Sequence, residues 1–213
     1  YPETEDEVHG RREVLGAAAG VAGFSAVSYF LGSGSAETKS LGEIGLSPSE
    51  ADEALSLLSE AEQRSLDVDG LDPLVSEDFY GVDINSVDPD VDESEWSLTV
   101  TGEVEQEVTL TYDELVSMEA EHRFNTLRCV GESLNGKKMD NALWTGVPIW
   151  DLVERASPEG GCECVMLRAD DGYYEEFPID AMRDGFLAYG MNGEALPREH
   201  GYPARALIPG HWG

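Results

Sequence analysis

Basic residues are scarce in this chain of 213 residues: 13 Lys and Arg stand against 44 Asp and Glu, a formal net charge of −31 at pH 7. Nucleic acid and an anionic membrane surface would both repel such a chain, so neither is expected as a partner. A carboxylate-rich surface stays hydrated where salt screens its self-repulsion, which makes the composition typical of a halophilic protein. A disordered acidic chain is the alternative, but a hydrophobic content of 41% argues against it.

Cysteine is also scarce, with three residues in the chain: Cys129, Cys162 and Cys164. No Cys-x-x-Cys-His stretch occurs, which excludes c-type haem attachment within this chain. A zinc site needs three or four Cys or His ligands, and neither Cys162-x-Cys164 nor the scattered His residues supply that spacing. Cys162 and Cys164 are therefore interpreted as structural or free thiols rather than as metal ligands.

One uncharged run stands near the N-terminus, from Val14 to Leu31, directly after Arg11-Arg12-Glu13. It is just long enough to span a bilayer as a helix, and the arginine pair would keep its own end cytoplasmic. A twin-arginine export signal fits as well, with small residues at 34–36 as a cleavage region. Residues 1–36 are therefore predicted as an acidic leader plus a transmembrane helix or export signal, with a buried soluble helix as the alternative. Both membrane readings place the main domain outside the cytoplasm, either anchored to the cell membrane or exported.

Residues 37–71 are predicted to form a linker and an amphipathic helix. The helix is predicted to begin at Ser47-Pro48-Ser49-Glu50, a pattern typical of a capped helix N-terminus. One narrow apolar stripe then runs to about Leu66. From residue 67 to 95 the chain is rich in Asp, Pro and Gly, which predicts an irregular arm laid over a domain. Two adjacent rings in this arm, Phe79-Tyr80, indicate packing or the wall of a cofactor site.

The compact domain is predicted to begin at Trp96 with a hairpin, because apolar and polar residues alternate there. Thr111 and Glu114 form a capping-box pattern that starts a short helix. The remaining predicted elements are strands at 123–129, 164–168, 173–177, 186–189 and 194–196, a helix at 149–156, a helical turn at 179–182, and turns at 144–148 and 191–193. Short strands mixed with short helices, without the alternation of a doubly wound sheet, predict an α+β fold with mixed sheets.

The stretch from Phe124 to Glu132 ends a predicted strand on Cys129, beside a turn that contains glycine. Such a strand end can hold one side chain toward a ligand with little conformational freedom. Nearby positive charge stabilises the thiolate, the form that binds metals, and Arg128, Lys137 and Lys138 lie close in sequence. These residues are predicted to attract an oxyanion. A buried structural thiol and an ordinary solvated surface are the alternatives.

The C-terminal stretch, residues 200–213, is punctuated by Pro and Gly, which fix its backbone in tight bends. His200 and Arg205 flank an apolar segment within it. An imidazole and a guanidinium held on such a frame suit an oxyanion or a phosphate. Alone, this spacing fits a solvated surface better than an anion site.

Four segments in this order resemble the molybdopterin-binding domain of the sulfite oxidase family, and most closely its prokaryotic, membrane-anchored members. They are the run through Cys129, residues 141–149 (Asn-Ala-Leu-Trp-Thr-Gly-Val-Pro-Ile), residues 187–197 (Leu-Ala-Tyr-Gly-Met-Asn-Gly-Glu-Ala-Leu-Pro) and residues 200–213. The resemblance assigns residues 72–213 to this oxidoreductase domain. It implies that the domain is incomplete at its C-terminal end, because the family's next basic segment lies beyond Gly213.

The resemblance implies a cofactor, molybdenum held by molybdopterin. The matching positions are Cys129 for the metal ligand, His200 and Arg205 for the pterin phosphate, Phe79 and Tyr80 for a segment along the cofactor, and Asp170 or Asp171 for a further contact. One protein thiolate suits a soft, redox-active metal whose other positions are taken by cofactor sulfur atoms. The implied activity transfers an oxygen atom to or from a small sulfur-containing or oxyanion substrate, with Cys129 and Arg128 as catalytic residues. Electron transfer would involve a membrane or extracytoplasmic carrier such as a cytochrome.

The arm departs from the pattern of the eukaryotic sulfite oxidases. They have Arg-Asn-His where this chain has Glu77-Asp78-Phe79, so a residue that helps to hold sulfite is missing. The arm is more similar to that of the methionine sulfoxide reductase catalytic subunits, whereas His200 is more similar to the oxidases. A methionine sulfoxide reductase-like reductase and a metal-free binding or scaffold domain of the same fold are therefore the alternatives.

Overall fold

The structure is a computed structural model that describes residues 38–76, 78–82, 89–133, 136–161 and 163–212. The apolar run from Val14 to Leu31, predicted as a transmembrane helix or export signal, lies outside these residues, as does Cys162. Within the described ranges no helix is both long and apolar enough to cross a membrane.

Helices and strands alternate irregularly along the described part of the chain. In order they are α1 (Pro48–Arg64), β1 (Ser97–Val100), β2 (Val108–Thr111), α2 (Tyr112–Val116), β3 (Glu121–Arg128), β4 (Met139–Pro148), α3 (Ile149–Ala156), β5 (Cys164–Arg168), β6 (Tyr174–Pro178), a 3-10 helix (Ile179–Arg183), β7 (Phe186–Met191), β8 (Glu194–Ala195), a second 3-10 helix (Arg198–His200) and β9 (Arg205–Leu207). The α+β class is confirmed. The ladders between described strands are all antiparallel, not mixed as predicted, because hairpin-length connections join most neighbouring strands.

Helix α1 begins where its sequence pattern predicts. The Ser47 hydroxyl accepts the Glu50 N–H at 3.4 Å, and the Glu50 carboxylate accepts the Ser47 N–H at 2.9 Å. The same carboxylate accepts the N–H of Ala120 at 3.2 Å, just before β3. Together with the burial of Ala54, this bond fastens the helix to the domain.

A five-stranded sheet in the order β3-β4-β7-β8, with β9 also paired to β7, forms the centre of the domain. The prediction of a turn at residues 144–148 is wrong, because β4 continues through Pro148. Trp144, Thr145 and Val147 favour strands and are fully buried between β3 and β7. Gly146, which suggested a turn, lies at a register shift where the backbone of β7 approaches too closely for a side chain.

The predicted turn between β7 and β8 is confirmed, with φ of 52° at Asn192 and 86° at Gly193. Met191, predicted to belong to that turn, ends β7 instead. The capping box of Thr111 and Glu114 is confirmed as well, as are the hairpins β1–β2 and β5–β6. The arm between α1 and β1 has no helix or strand in its described residues.

Alternation along the strands gives the central sheet two different faces. One face packs against α1 and α3 through residues that include Leu143, Val147 and Tyr189. The opposite face carries a second apolar cluster, here called the Trp144 cluster. It consists of Leu127, Ala142, Trp144, Phe186, Ala188, Met191, Leu196 and Leu207, with Phe79 and Tyr80 packed against it. The second face is therefore the surface on which the arm lies.

Candidate functional site

Aromatic rings of the arm cover part of the Trp144 cluster. The Phe79 ring stacks on Tyr80 with 5.2 Å between centroids. It meets the rings of Trp144 at 5.6 Å and His200 at 5.3 Å, both edge to face. Phe79 therefore connects the arm, the central strand β4 and the C-terminal loop at one place.

The C-terminal loop folds back on itself so that His200 and Arg205 lie together. His200 is buried at 6% exposure, and its carbonyl oxygen accepts a hydrogen bond of 3.3 Å from the Arg205 guanidinium. That guanidinium lies 5.9 Å from the centre of the Trp144 ring. Gly201, at a φ of 100°, makes the bend, and a Cβ there would lie 3.3 Å from the Cβ of Arg205. The two predicted phosphate-binding residues are thus adjacent, beside the same aromatic wall.

Cys129 follows the last residue of β3 and continues the backbone hydrogen bonding between β3 and the segment before β4. Its N–H donates to the carbonyl of Lys138 at 3.0 Å, and its own carbonyl accepts the N–H of Glu132 at 3.0 Å. The thiol is buried at 9% exposure and forms no disulfide with Cys164. Because residues two apart share a face, Cys129 lies on the same side of the hairpin as Leu127 of the Trp144 cluster.

Tyr80 connects the thiol with the C-terminal loop. Burial raises the pKa of the Tyr80 phenol above its ordinary value, the charge of Arg205 lowers it, and the charges of Cys129 and Asp140 raise it. Tyr80 thus lies within electrostatic reach of Cys129 and Arg205 at once. The structure brings together five predicted site residues: Cys129, Phe79, Tyr80, His200 and Arg205.

The basic residues near Cys129 are arranged differently. Arg128 belongs to the opposite face of β3, donates to the carbonyl of Glu132 at 3.2 Å and lies 5.2 Å from the centre of the Trp212 ring. Lys137 and Lys138 are exposed in the connection between β3 and β4. The contacts with Glu132 and Trp212 hold the Arg128 side chain to the protein. The role of Arg128, Lys137 and Lys138 toward an oxyanion therefore stays a prediction.

Asp170 and Asp171 lie in the turn between β5 and β6. This hairpin forms a two-stranded sheet apart from the central one. The Asp171 carboxylate accepts the N–H of Tyr173 at 2.8 Å, as expected of a turn residue. A cofactor contact for either aspartate stays a prediction.

Two residues that sequence reasoning missed are central to the site. Trp144 forms its floor, and its indole N–H donates to the carbonyl of Asn125 at 3.0 Å. Asp140 accepts the N–H of Tyr80 and the hydroxyl of Ser76, each at 2.8 Å. The available signal was a single carboxylate near the start of a strand that is otherwise uncharged.

The donor set suits an organic metal cofactor better than a metal ion bound by protein alone. Within the described ranges, no group of three or more His, Cys, Asp and Glu side chains could hold a metal ion. A single thiolate beside an aromatic wall, with a guanidinium and an imidazole on the far side, fits a metal whose other ligands come from the cofactor. The residues present therefore fit molybdopterin, with Cys129 as the metal ligand.

Comparison with known proteins gives the same assignment. The family model for the oxidoreductase molybdopterin-binding domain matches residues 85–213. The chain is 31% identical over 120 residues to the oxidoreductase YuiH of Bacillus subtilis, covering 55% of this chain and 59% of YuiH. It is 30% identical over 155 residues to the NADH nitrate reductase of Spinacia oleracea, covering 59% of this chain and 17% of that enzyme. The chain thus spans less than two thirds of the length of each relative.

A solved structure shares the fold. The sulfane dehydrogenase SoxCD from Paracoccus pantotrophus superposes with a TM-score of 0.56 over 74% of this chain and 49% of the SoxCD chain, at 21% identity. At that identity the likeness concerns the fold alone. The family match covers more than half of the chain and contains Cys129, His200 and Arg205. The chain therefore belongs to the oxidoreductase molybdopterin-binding domain family, which confirms its resemblance to the sulfite oxidases and its cofactor, molybdenum held by molybdopterin.

Proposed function

We propose that this domain belongs to a sulfite oxidase-like enzyme that transfers an oxygen atom to or from a small sulfur-containing substrate. The observation that carries the proposal is the position of Cys129, a buried thiol on the same face as the wall formed by Phe79 and Tyr80. The sulfur substrate rests on the resemblance of the four sequence segments to the sulfite oxidases, because the likeness to a sulfane dehydrogenase concerns the fold alone. The family itself supports an oxidoreductase of wider substrate range.

Each side chain has a separate task in this proposal. When bound, the molybdenum cofactor supplies the two-electron redox change that accompanies oxygen-atom transfer. Cys129 ligates the metal, while His200 and Arg205 hold the anionic phosphate end by charge-assisted hydrogen bonds. Tyr80 is a neutral phenol at neutral pH, as an ordinary tyrosine already is, and burial raises its pKa further, so its ring lines the site as an uncharged group. Arg128 with Lys137 or Lys138 would draw an anionic substrate toward this end.

The wider setting is part of the same proposal. Electrons would pass to or from a membrane or extracytoplasmic carrier such as a cytochrome, since the two-electron chemistry needs an acceptor or donor. The apolar run from Val14 to Leu31 would anchor the protein in the cell membrane, or direct it through the twin-arginine route. In both cases the catalytic domain faces the extracytoplasmic side.

Reduction reactions are the second candidate. The nitrate reductase relative favours an oxyanion that gives up an oxygen atom, and the arm resembles that of the methionine sulfoxide reductases. A metal-free scaffold of the same fold is disfavoured by the joint presence of Cys129, His200 and Arg205 at one site.

Paired assays distinguish these alternatives. Full-length protein from a host that makes the cofactor is tested for sulfite-dependent reduction of ferricyanide, and for oxidation of reduced viologen by methionine sulfoxide or nitrate. We expect sulfite turnover, and no turnover in Cys129→Ala. Viologen oxidation without sulfite turnover would show that the enzyme removes an oxygen atom from its substrate instead of adding one. Inactivity of molybdenum-loaded protein in every assay would contradict the proposal.

A further inference from the structure

We propose that Asp140 is a positioning residue, which holds the arm so that Phe79 and Tyr80 form a wall beside Cys129. The consequence for cofactor binding rests on the proposed function, whereas the positioning itself rests on geometry alone. The arm has no helix or strand in its described residues, so its path over the sheet depends on side-chain contacts of this kind.

The two oxygen atoms of the Asp140 carboxylate contact two separate points of the arm. Oδ2 accepts the backbone N–H of Tyr80 at 2.8 Å, and Oδ1 accepts the hydroxyl of Ser76 at 2.8 Å. Hydrogen bonds to a charged acceptor are about twice as strong as neutral ones. Asp140 therefore fixes the backbone that carries the two rings as well as the segment leading to them.

The hairpin of β3 and β4 fixes Asp140 relative to the thiol. Asp140 pairs with Leu127, two residues before Cys129, and the Cys129 N–H donates to the carbonyl of Lys138, two residues before Asp140. Asp140 belongs to the antiparallel ladder and the Cys129 bond continues it by one step, so the spacing between the two residues changes little. The path from Cys129 through the ladder to Asp140 and the Tyr80 backbone is short and hydrogen-bonded throughout.

Two hydrogen bonds of Asn141 hold the upstream part of the arm. The Asn141 side-chain amide donates to the carbonyl of Leu74 at 2.5 Å, and the Ser76 N–H donates to the carbonyl of Asn141 at 2.9 Å. Asp140 extends this attachment from Ser76 to Tyr80. Its loss should loosen the rings while the upstream arm stays in place.

Substitutions at Asp140 can separate hydrogen bonding from charge. In Asp140→Asn, the amide oxygen can still accept the Tyr80 N–H, and the NH₂ group can donate to the Ser76 hydroxyl, which also accepts. Asp140→Ala removes both bonds. Asp72→Ala is the matched control, because Asp72 is an exposed carboxylate on the same arm.

The test measures amide hydrogen exchange of Tyr80 in cofactor-free, full-length protein, together with molybdenum per chain in protein from a cofactor-making host. Asp140→Ala is expected to speed Tyr80 exchange by about tenfold to a hundredfold, which corresponds to one lost hydrogen bond to a charged group. Its molybdenum content is expected to fall. Asp140→Asn should restore both values in part, because its neutral hydrogen bonds are about half as strong, and Asp72→Ala should match the wild type. If Asp140→Ala does not fold, Asp140→Leu replaces it, since leucine fills the volume without an acceptor.

The outcomes separate this inference from the proposed function. Unchanged Tyr80 exchange in the alanine or leucine variant would overturn it, as would equal exchange in Asp140→Asn and Asp140→Ala. Equal acceleration in Asp72→Ala would also overturn it, because the effect would not be specific to Asp140. Wild-type protein without molybdenum, with the exchange pattern as expected, would contradict the proposed function and leave the positioning role supported.

Discussion

At the scale of single residues, a guanidinium and an imidazole lie on one side of an aromatic wall and a buried thiol lies on the other. The burial of His200 against Phe79 leaves its imidazole little freedom to reorient. A guanidinium folded over Trp144 is similarly restricted, and restricted donors lose less entropy when an anion binds. The phosphate end of the cofactor is thus expected to meet a prepared site.

Arg205 and Arg128 are predicted to act on different groups. Arg205→Lys should lower molybdenum content, because lysine cannot reproduce the bidentate bonds of a guanidinium to a phosphate, while turnover per bound molybdenum changes little. Arg128→Lys should keep the metal, because Arg128 lies on the face of β3 opposite to Cys129, and should raise the KM for an anionic substrate, because lysine lacks the planar fork with which a guanidinium binds an oxyanion. Metal analysis and steady-state kinetics on both variants provide the check. Full molybdenum with equal loss of turnover in both would show that this division of roles is wrong.

Glu93 is predicted to stabilise the C-terminal loop in a pH-dependent way. It accepts hydrogen bonds from Lys39, at 2.6 Å, and from the Tyr202 hydroxyl, and both lower its pKa below the ordinary 4.5. A carboxylate whose pKa is lowered on folding stabilises the folded state at pH values above its ordinary pKa. This stabilisation is lost as the pH falls through the pKa of the folded state. Glu93→Gln should therefore lower the free energy of unfolding at pH 7 by about 1 kcal/mol.

Urea denaturation at pH 7 and at pH 3 checks this prediction, with Glu95→Gln as the control on the same arm. The difference between wild type and Glu93→Gln should shrink at pH 3. A difference that is equal at both pH values would mean that the carboxylate charge does not contribute.

At the scale of helices, strands and turns, the sequence patterns correctly predicted the features that depend on contacts between residues close in sequence. The capping boxes at Ser47 and Thr111 and the Asn192-Gly193 turn involve residues close in sequence, and all three are confirmed. The strand through Gly146 depends instead on burial between β3 and β7, and a local pattern does not show the pairing with β7, which lies far along the chain. The same limit applies to Asp140, whose partners lie 60 and 64 residues away. The thiol, His200 and Arg205 could be found because their motifs resemble those of a known family.

Gly146 is predicted to be essential for the pairing of β4 with β7. A Cβ at this position would lie 2.1 Å from the carbonyl oxygen of Leu187, a contact that only backbone movement could relieve. Gly146→Ala should therefore destabilise the domain by about 1–3 kcal/mol, the usual cost of overpacking. Urea denaturation against Gly161→Ala, where a Cβ would meet nothing within 4 Å, is the measurement. Equal stability of the two variants would refute the close packing described here.

At the scale of the whole molecule, the excess of acidic residues dominates. The formal net charge of −31 along the chain means that its acidic groups repel one another. We propose that the fold needs high salt, because screening shortens the Debye length from roughly 10 Å at 0.1 M to roughly 3 Å at 1 M. The melting temperature should fall as potassium chloride is diluted over that range. Sucrose, which screens no charge, is the control, and a melting temperature independent of salt would rule out the halophilic interpretation.

Molybdenum content tests the central claim most directly, because it decides whether Cys129 binds the metal before any substrate is known. Full-length protein from a cofactor-making host should contain about one molybdenum per chain, as expected for one thiolate ligand per site. Cys129→Ala should lose it, while Cys164→Ala, which removes an exposed thiol, should keep it. Wild-type protein without molybdenum, or Cys129→Ala with as much as the wild type, would contradict the account.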